Sequence, residues 1–253
     1  MKITMTGTKS IYYGPALIIS AVFIIALLAA RNIGGVEWMS HDNDVLVNYL
    51  QVISAIYAII VGFVLYVVWG QFVEMEKLVG REAGLLQATR RLSALIGDDE
   101  EQAVRWAVTK YIEINISRGD IDVVWKNLHL TISNIGRNRL NEIQQLIFTD
   151  MLDKLEQVIE CRNERAALDS SRIPWPLWWI LGIVTSSLLI PFCLLSVQSL
   201  PVHILLVESS VISSSFILSL IADLDHPVYG AFNVRFSEME KLIPDTHLRI
   251  VAK

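Results

Sequence analysis

The sequence predicts an all-α integral membrane protein with four transmembrane helices and a cytoplasmic helical bundle between spans two and three. Three observations predict it. The apolar residues gather into four runs of membrane-spanning length, although only 53% of the 253 residues are hydrophobic. All 21 Lys and Arg residues except Arg31 lie in the N-terminal tail, the middle of the chain or the C-terminal tail. The long interval between the second and third runs repeats apolar residues at helical steps. Composition agrees: 19% of residues are charged and mean hydropathy is +0.46, whereas a soluble domain carries about 25% charged residues. The abundance of Leu, Ile and Val excludes a disordered chain. The net charge of −5 has the wrong sign for a phosphate-binding surface, which excludes nucleic acid as a partner.

The first span is residues 11–30, an uncharged run of 20, matching a bilayer core of about 30 Å. Tyr12 and Tyr13 open it as interfacial aromatics. It exceeds the core of a secretory signal and lacks an A-x-A site behind it, so an uncleaved span is expected. The second span, residues 45–69, is also uncharged. The third, residues 175–197, follows Pro174 and opens on the aromatic belt WPLWW. The fourth, residues 200–222, is uncharged except for Glu208 and is stopped by Asp223 and Asp225. The segment 32–44 holds Glu37, Asp42 and Asp44 and no Lys or Arg, and the Gln198–Ser199 link holds no charge. The positive-inside rule therefore places both termini and the middle block in the cytoplasm.

The middle block, residues 71–173, reads as helices. Met75, Leu78, Val79, Leu85, Leu86, Leu92 and Ile96 recur at three- and four-residue steps, which extends the second span into one long amphipathic helix ending at Gly97. Asp98, Asp99, Glu100 and Glu101 start the next helix at its positive end. That helix aligns Val104, Ala107, Val108, Tyr111 and Ile112. Asp120 caps a third piece carrying Ile121, Val124, Trp125, Leu128 and Ile132. Behind Gly136, a long helix carries Leu140, Ile143, Ile147, Met151, Leu152, Leu155, Val158 and Ile159. With 14 basic and 17 acidic residues, the block reads as packed helices with solvated charged faces. Residues 223–253 are polar, broken by Pro227, Gly230 and Pro244, and are expected to lie against the block or a neighbouring subunit.

No Walker loop, dinucleotide fingerprint, nucleophile elbow or zincin motif is present, and no two of the five histidines share a helix face, so an enzyme is not expected. Cys161 and Cys193 stand in different segments without a metal or redox spacing. No metal or cofactor is expected. Glu208 is the intramembrane polar residue: it marks either an ion or proton path, or a hydrogen-bonded carboxyl near the outer interface. Ser209, Ser210, Ser213, Ser214, Ser215 and Ser219 serve either close helix packing or a polar pore wall. In the second span, Asn48 and Gln51 make the outer third polar, with Ser54. Ile56, Ile60, Phe63 and Val67 form an apolar stripe below. A polar vestibule above an apolar ring suits a gate that closes by dewetting, which makes these six the pore-lining candidates.

Tyr57-Ala58, Val61-Gly62-Phe63-Val64 and Trp69-Gly70-Gln71-Phe72, with Glu74, Val79, Glu82 and Ala83, resemble the second span and its extension in the bestrophin-like membrane proteins. Pro176-Leu177-Trp178 resembles that family's entry to the third span. Leu224-Asp225-His226-Pro227 with Gly230 resembles its L-D-[RH]-P-F-x-G signature, Val228 standing at the Phe. The resemblance implies a four-span subunit of a homo-oligomer, a pentamer in the true bestrophins, conducting anions such as chloride along the second span. It also implies a bacterial inner membrane. Only Asp223 and Asp225 stand where true bestrophins carry an acidic calcium clasp, so calcium gating is not carried over. The rival expectation is a non-conducting scaffold or sensor whose cytoplasmic block recruits a partner. A small transporter is weakened by the absence of inverted repeats.

Overall fold

A computed structural model describes residues 8–32, 42–117, 120–137, 140–226, 234 and 236–243, with side chains omitted for 8–17 and 30. The described residues form helices and no strand: α1 (Thr8–Asn32), α2 (Asn43–Ala94), α3 (Asp98–Ser117), α4 (Ile121–Ile135), α5 (Glu142–Ser170), α6 (Trp175–Leu194), α7 (Leu200–Leu224) and the single turn α8 (Ser237–Glu240). They divide into two compact units. One is drawn from Met1–Gly70 and Arg172–Asn233, the other from Gln71–Ser171 and Val234–Lys253.

Three helices, α2, α6 and α7, are long and apolar enough to cross a membrane. In α1 the described apolar stretch is Ile18–Ala29. α6 ends at Leu194, short of the expected residue 197, because Leu195 turns extended. In this unit α1 packs most extensively along α7. Leu27 of α1, Leu189 and Cys193 of α6, and Val207 and Val211 of α7 form one apolar cluster. A second joins Leu50, Tyr57, Val61 and Val64 of α2 to Leu181, Leu188 and Ile221. Among the α7 serines, Ser214 and Ser215 are buried, while Ser209 and Ser210 donate back to the Leu206 carbonyl. The α6–α7 turn is tied at both sides. Arg31 donates to the Val197 and Gln198 carbonyls, and Asn43 Oδ1 accepts from the Ser196 amide at 3.1 Å. Each bond satisfies a backbone group that a membrane interface leaves costly to expose.

The second unit is a bundle of the later half of α2 with α3, α4 and α5. At 52 residues, α2 is about 78 Å long at 1.5 Å per residue, as the unbroken periodicity requires. The starts of the shorter helices follow their local sequence. Four acids open α3, the Asp120 side chain accepts from the Asp122 amide, and Asn141 with Gln144 closes a capping box. Gln144 Nε2 also donates to the Ile96 carbonyl at 3.0 Å, fixing α5 to the end of α2. Val104, Ala107, Val108, Tyr111 and Ile112 are all buried, as are Leu128, Ile132, Met151, Leu155 and Val158. Ile143 departs from the expected α5 face and is 72% exposed. It sits eight residues before Met151, about 80° off the buried line at about 100° per residue.

Candidate functional site

α2 presents two opposite faces within the first unit. Leu50, Tyr57, Val61, Val64 and Val68 are buried, all within an arc of about 60°. About 160° away runs an exposed ridge of Asn48, Val52, Ile59 and Phe63. Among its apolar members, Val52 is 62% exposed, Ile59 72% and Phe63 66%. Helix phase sorts the six pore-lining candidates. Asn48 and Phe63 stand on the ridge. Ile56 and Val67 are exposed on one flank. Gln51 and Ile60, nine residues apart, point about 180° from each other, so they cannot face one axis together. Ile60 is partly buried against the α2–α6–α7 cluster. Ile59, absent from the stripe read off the sequence, takes the place on the ridge that Ile60 does not.

Glu208 lies away from this ridge, at the α1–α7 contact, where Ser20 Oγ donates to its Oε2. His203, also on α7, is buried and bonds through Nε2 to the Phe192 carbonyl at 2.8 Å. Both cysteines are free and buried. Among the described residues no cluster could hold a metal ion.

The second unit contains a buried charge network. Glu82 of α2 is 0% exposed. Its Oε1 accepts from Tyr111 Oη at 2.6 Å and from Asn115 Nδ2 at 3.3 Å, and its Oε2 lies 3.2 Å from Arg165 Nε of α5. Arg165 also donates to Asn115 Oδ1 and stacks over the Phe236 ring. Burial raises the Glu82 carboxyl above its ordinary value, outweighing Arg165, Tyr111, Arg162 and Asn115, which lower it. The same burial, with Glu82 beside it, pushes the Tyr111 hydroxyl up. The sequence gives little sign of this network, because a lone Glu on a charged helix reads as solvated.

A family model described as a Bestrophin-like domain matches residues 17–239. The chain belongs to the bestrophin-like family. It is an integral membrane protein of that family, and its fold recurs in solved structures. A point variant of a bacterial bestrophin homologue from Klebsiella pneumoniae superposes with a TM-score of 0.73 at 16% identity, covering 96% of this chain and 98% of that one. A structure described as a membrane protein gives 0.69 at 17% identity, covering 96% and 99%. At these identities the likeness is one of fold. No curated protein matches the sequence.

Some residues that carry the bestrophin-like resemblance have visible work. Asp225, buried just past α7, accepts the Ile173 amide on Oδ1 at 2.8 Å. Arg172 donates to the Asp225 carbonyl. Together they hold the start of α6 to the end of α7. Asp225→Ala leaves the part-buried Ile173 amide without this partner and is expected to lower stability by about 1 kcal/mol. Asp225→Asn, which keeps the acceptor oxygen, is expected to lose less in the same thermal-unfolding measurement. Gln71 donates to Ser171 Oγ at 3.4 Å, and Trp69 is half exposed. Pro227 and Gly230 lie outside the described residues.

Proposed function

We propose that the protein is one subunit of a homo-oligomeric ion channel whose pore is lined by α2, with Asn48, Val52, Ile59 and Phe63 toward the axis. The observation that carries this is the apolar ridge of α2, left uncovered on the side opposite its own core. In a ring of copies, that side is the one available to a central path. Ile59 and Phe63, one turn apart, supply a constriction that closes by dewetting, and Asn48 supplies a polar mouth. Four spans with cytoplasmic termini and a cytoplasmic bundle are the topology that the Lys and Arg distribution supports. Anions are the favoured cargo by family likeness, and no carboxylate stands in residues 45–69 to repel them. Glu208 serves α1–α7 packing on this reading, since its bond is to Ser20.

A non-conducting scaffold is the second reading. It draws on exposed apolar side chains of the second unit, Trp106 at 60% and Leu146 at 73% among them, which would seat a partner protein. Native mass spectrometry in mild detergent, followed by ion flux in liposomes, separates the two. The channel reading expects a closed oligomer and flux above protein-free vesicles. A monomer, or an oligomer silent to anions and cations at every voltage, would sink it.

A further inference from the structure

Residues 236–243 lie on the second unit by a small set of handles. Met239 is wholly buried and Ile243 nearly so. Arg90 Nη1 donates to the Leu242 carbonyl at 2.9 Å. The Phe236 ring lies 5.9 Å from the Arg165 guanidinium, and Met239 Sδ lies 3.7 Å from Asn115 Nδ2. Two of these handles, Phe236 and Met239, rest on Arg165 and Asn115, the residues that bond Glu82. The segment is therefore one wall of the buried charge network.

We propose that residues 236–243 are a proton-linked strap, docked while Glu82 carries a proton and loosened when Glu82 ionises. A docked strap keeps water from Arg165 and Asn115 and so from the carboxylate they surround, which disfavours the charged form. An open strap lets water in and relieves that cost. Linkage makes the relation reciprocal: what favours the neutral carboxyl also favours docking. The titratable or charged groups that face Glu82 are Tyr111 from α3 and Arg162, Arg165 and Cys161 from α5. The described strap residues bring none of their own, since Glu238, Glu240 and Lys241 are exposed. Arg165 attracts the carboxylate whether the strap is on or off, so the change in hydration sets the sign. Raised burial of Glu82, already the dominant influence on it, points the same way. The inference stands whether or not the chain conducts.

The test is hydrogen exchange of the full-length protein in detergent across the pH range from mildly acidic to mildly alkaline, with intrinsic rates divided out. Protection of residues 236–243 should fall as pH rises through the Glu82 titration, by up to about tenfold per pH unit for a single linked proton. In Glu82→Gln, which stays neutral, protection should hold its acidic-side level throughout. A flat wild-type profile, or an unchanged slope in Glu82→Gln, overturns the proposal. A second measurement does not depend on that variant folding. Phe236→Ala with Met239→Ala frees the strap, so the protonated-carboxyl infrared band lost in Glu82→Gln or Glu82→Asp should vanish at lower pH than in wild type. A band that titrates at the wild-type position overturns it as well.

Discussion

Arg165→Ala is expected to destabilise the helical bundle by about 3–5 kcal/mol, the usual cost of removing one partner from a buried ion pair. Glu82 would be left fully buried with Tyr111 and Asn115 as its remaining partners. The loss should grow with pH, because a protonated Glu82 has no ion pair to lose and an ionised one does. The sign follows because Arg165 lowers the Glu82 carboxyl that burial raises, so removing Arg165 raises that carboxyl further. Its contribution to stability is complete below the ordinary carboxylate value and fades as pH rises through the raised one. Arg165→Lys should recover only part of the loss, since an ammonium cannot bond Glu82 and Asn115 while stacking on Phe236. Thermal or denaturant unfolding in detergent at two pH values reads all of this. A shift below about 1 kcal/mol at both would place the pair among ordinary surface contacts.

Ile59→Ala combined with Phe63→Ala is expected to raise single-channel conductance or liposome flux by about tenfold or more. Each 1.4 kcal/mol removed from a permeation barrier is about tenfold in rate, and a dewetted ring is a barrier of that kind. Gln51→Ala and Ile60→Val serve as controls with little effect, because neither side chain stands on the exposed ridge. Equal effects at Ile60 and Ile59 would mean that α2 is turned differently toward the axis.

Much of the architecture is legible in the sequence because its signals are local. The cap at Asp120, the acidic start at Asp98–Glu101 and the three- and four-residue steps through Leu78, Val79 and Leu86 each need only their neighbours. Faces of the membrane helices are not legible in this way. Lipid is as apolar as a helix core, so hydropathy cannot say which side of α2 meets α6 and α7. That is why Ile59, which the sequence stripe leaves out, is exposed, while Ile60, which it includes, is partly buried against α6 and α7. The Glu82 network fails to show for another reason. It is assembled from α2, α3, α5 and the C-terminal segment, and charge on a single helix carries no mark of burial. Ile143 shows the converse error: an apolar residue at a three- or four-residue step from its neighbours is left exposed because it lies about 80° off the buried line of α5.

The measurement that bears most directly on the central claim is cysteine accessibility along α2 in the reconstituted protein. Cys161 and Cys193 are buried, so the background is low. A charged, membrane-impermeant thiol reagent should label Asn48→Cys and Val52→Cys and block flux. It should leave flux through Gln51→Cys and Val61→Cys intact. Block at Gln51→Cys with none at Asn48→Cys or Val52→Cys would contradict an α2 ridge that faces a water-filled axis.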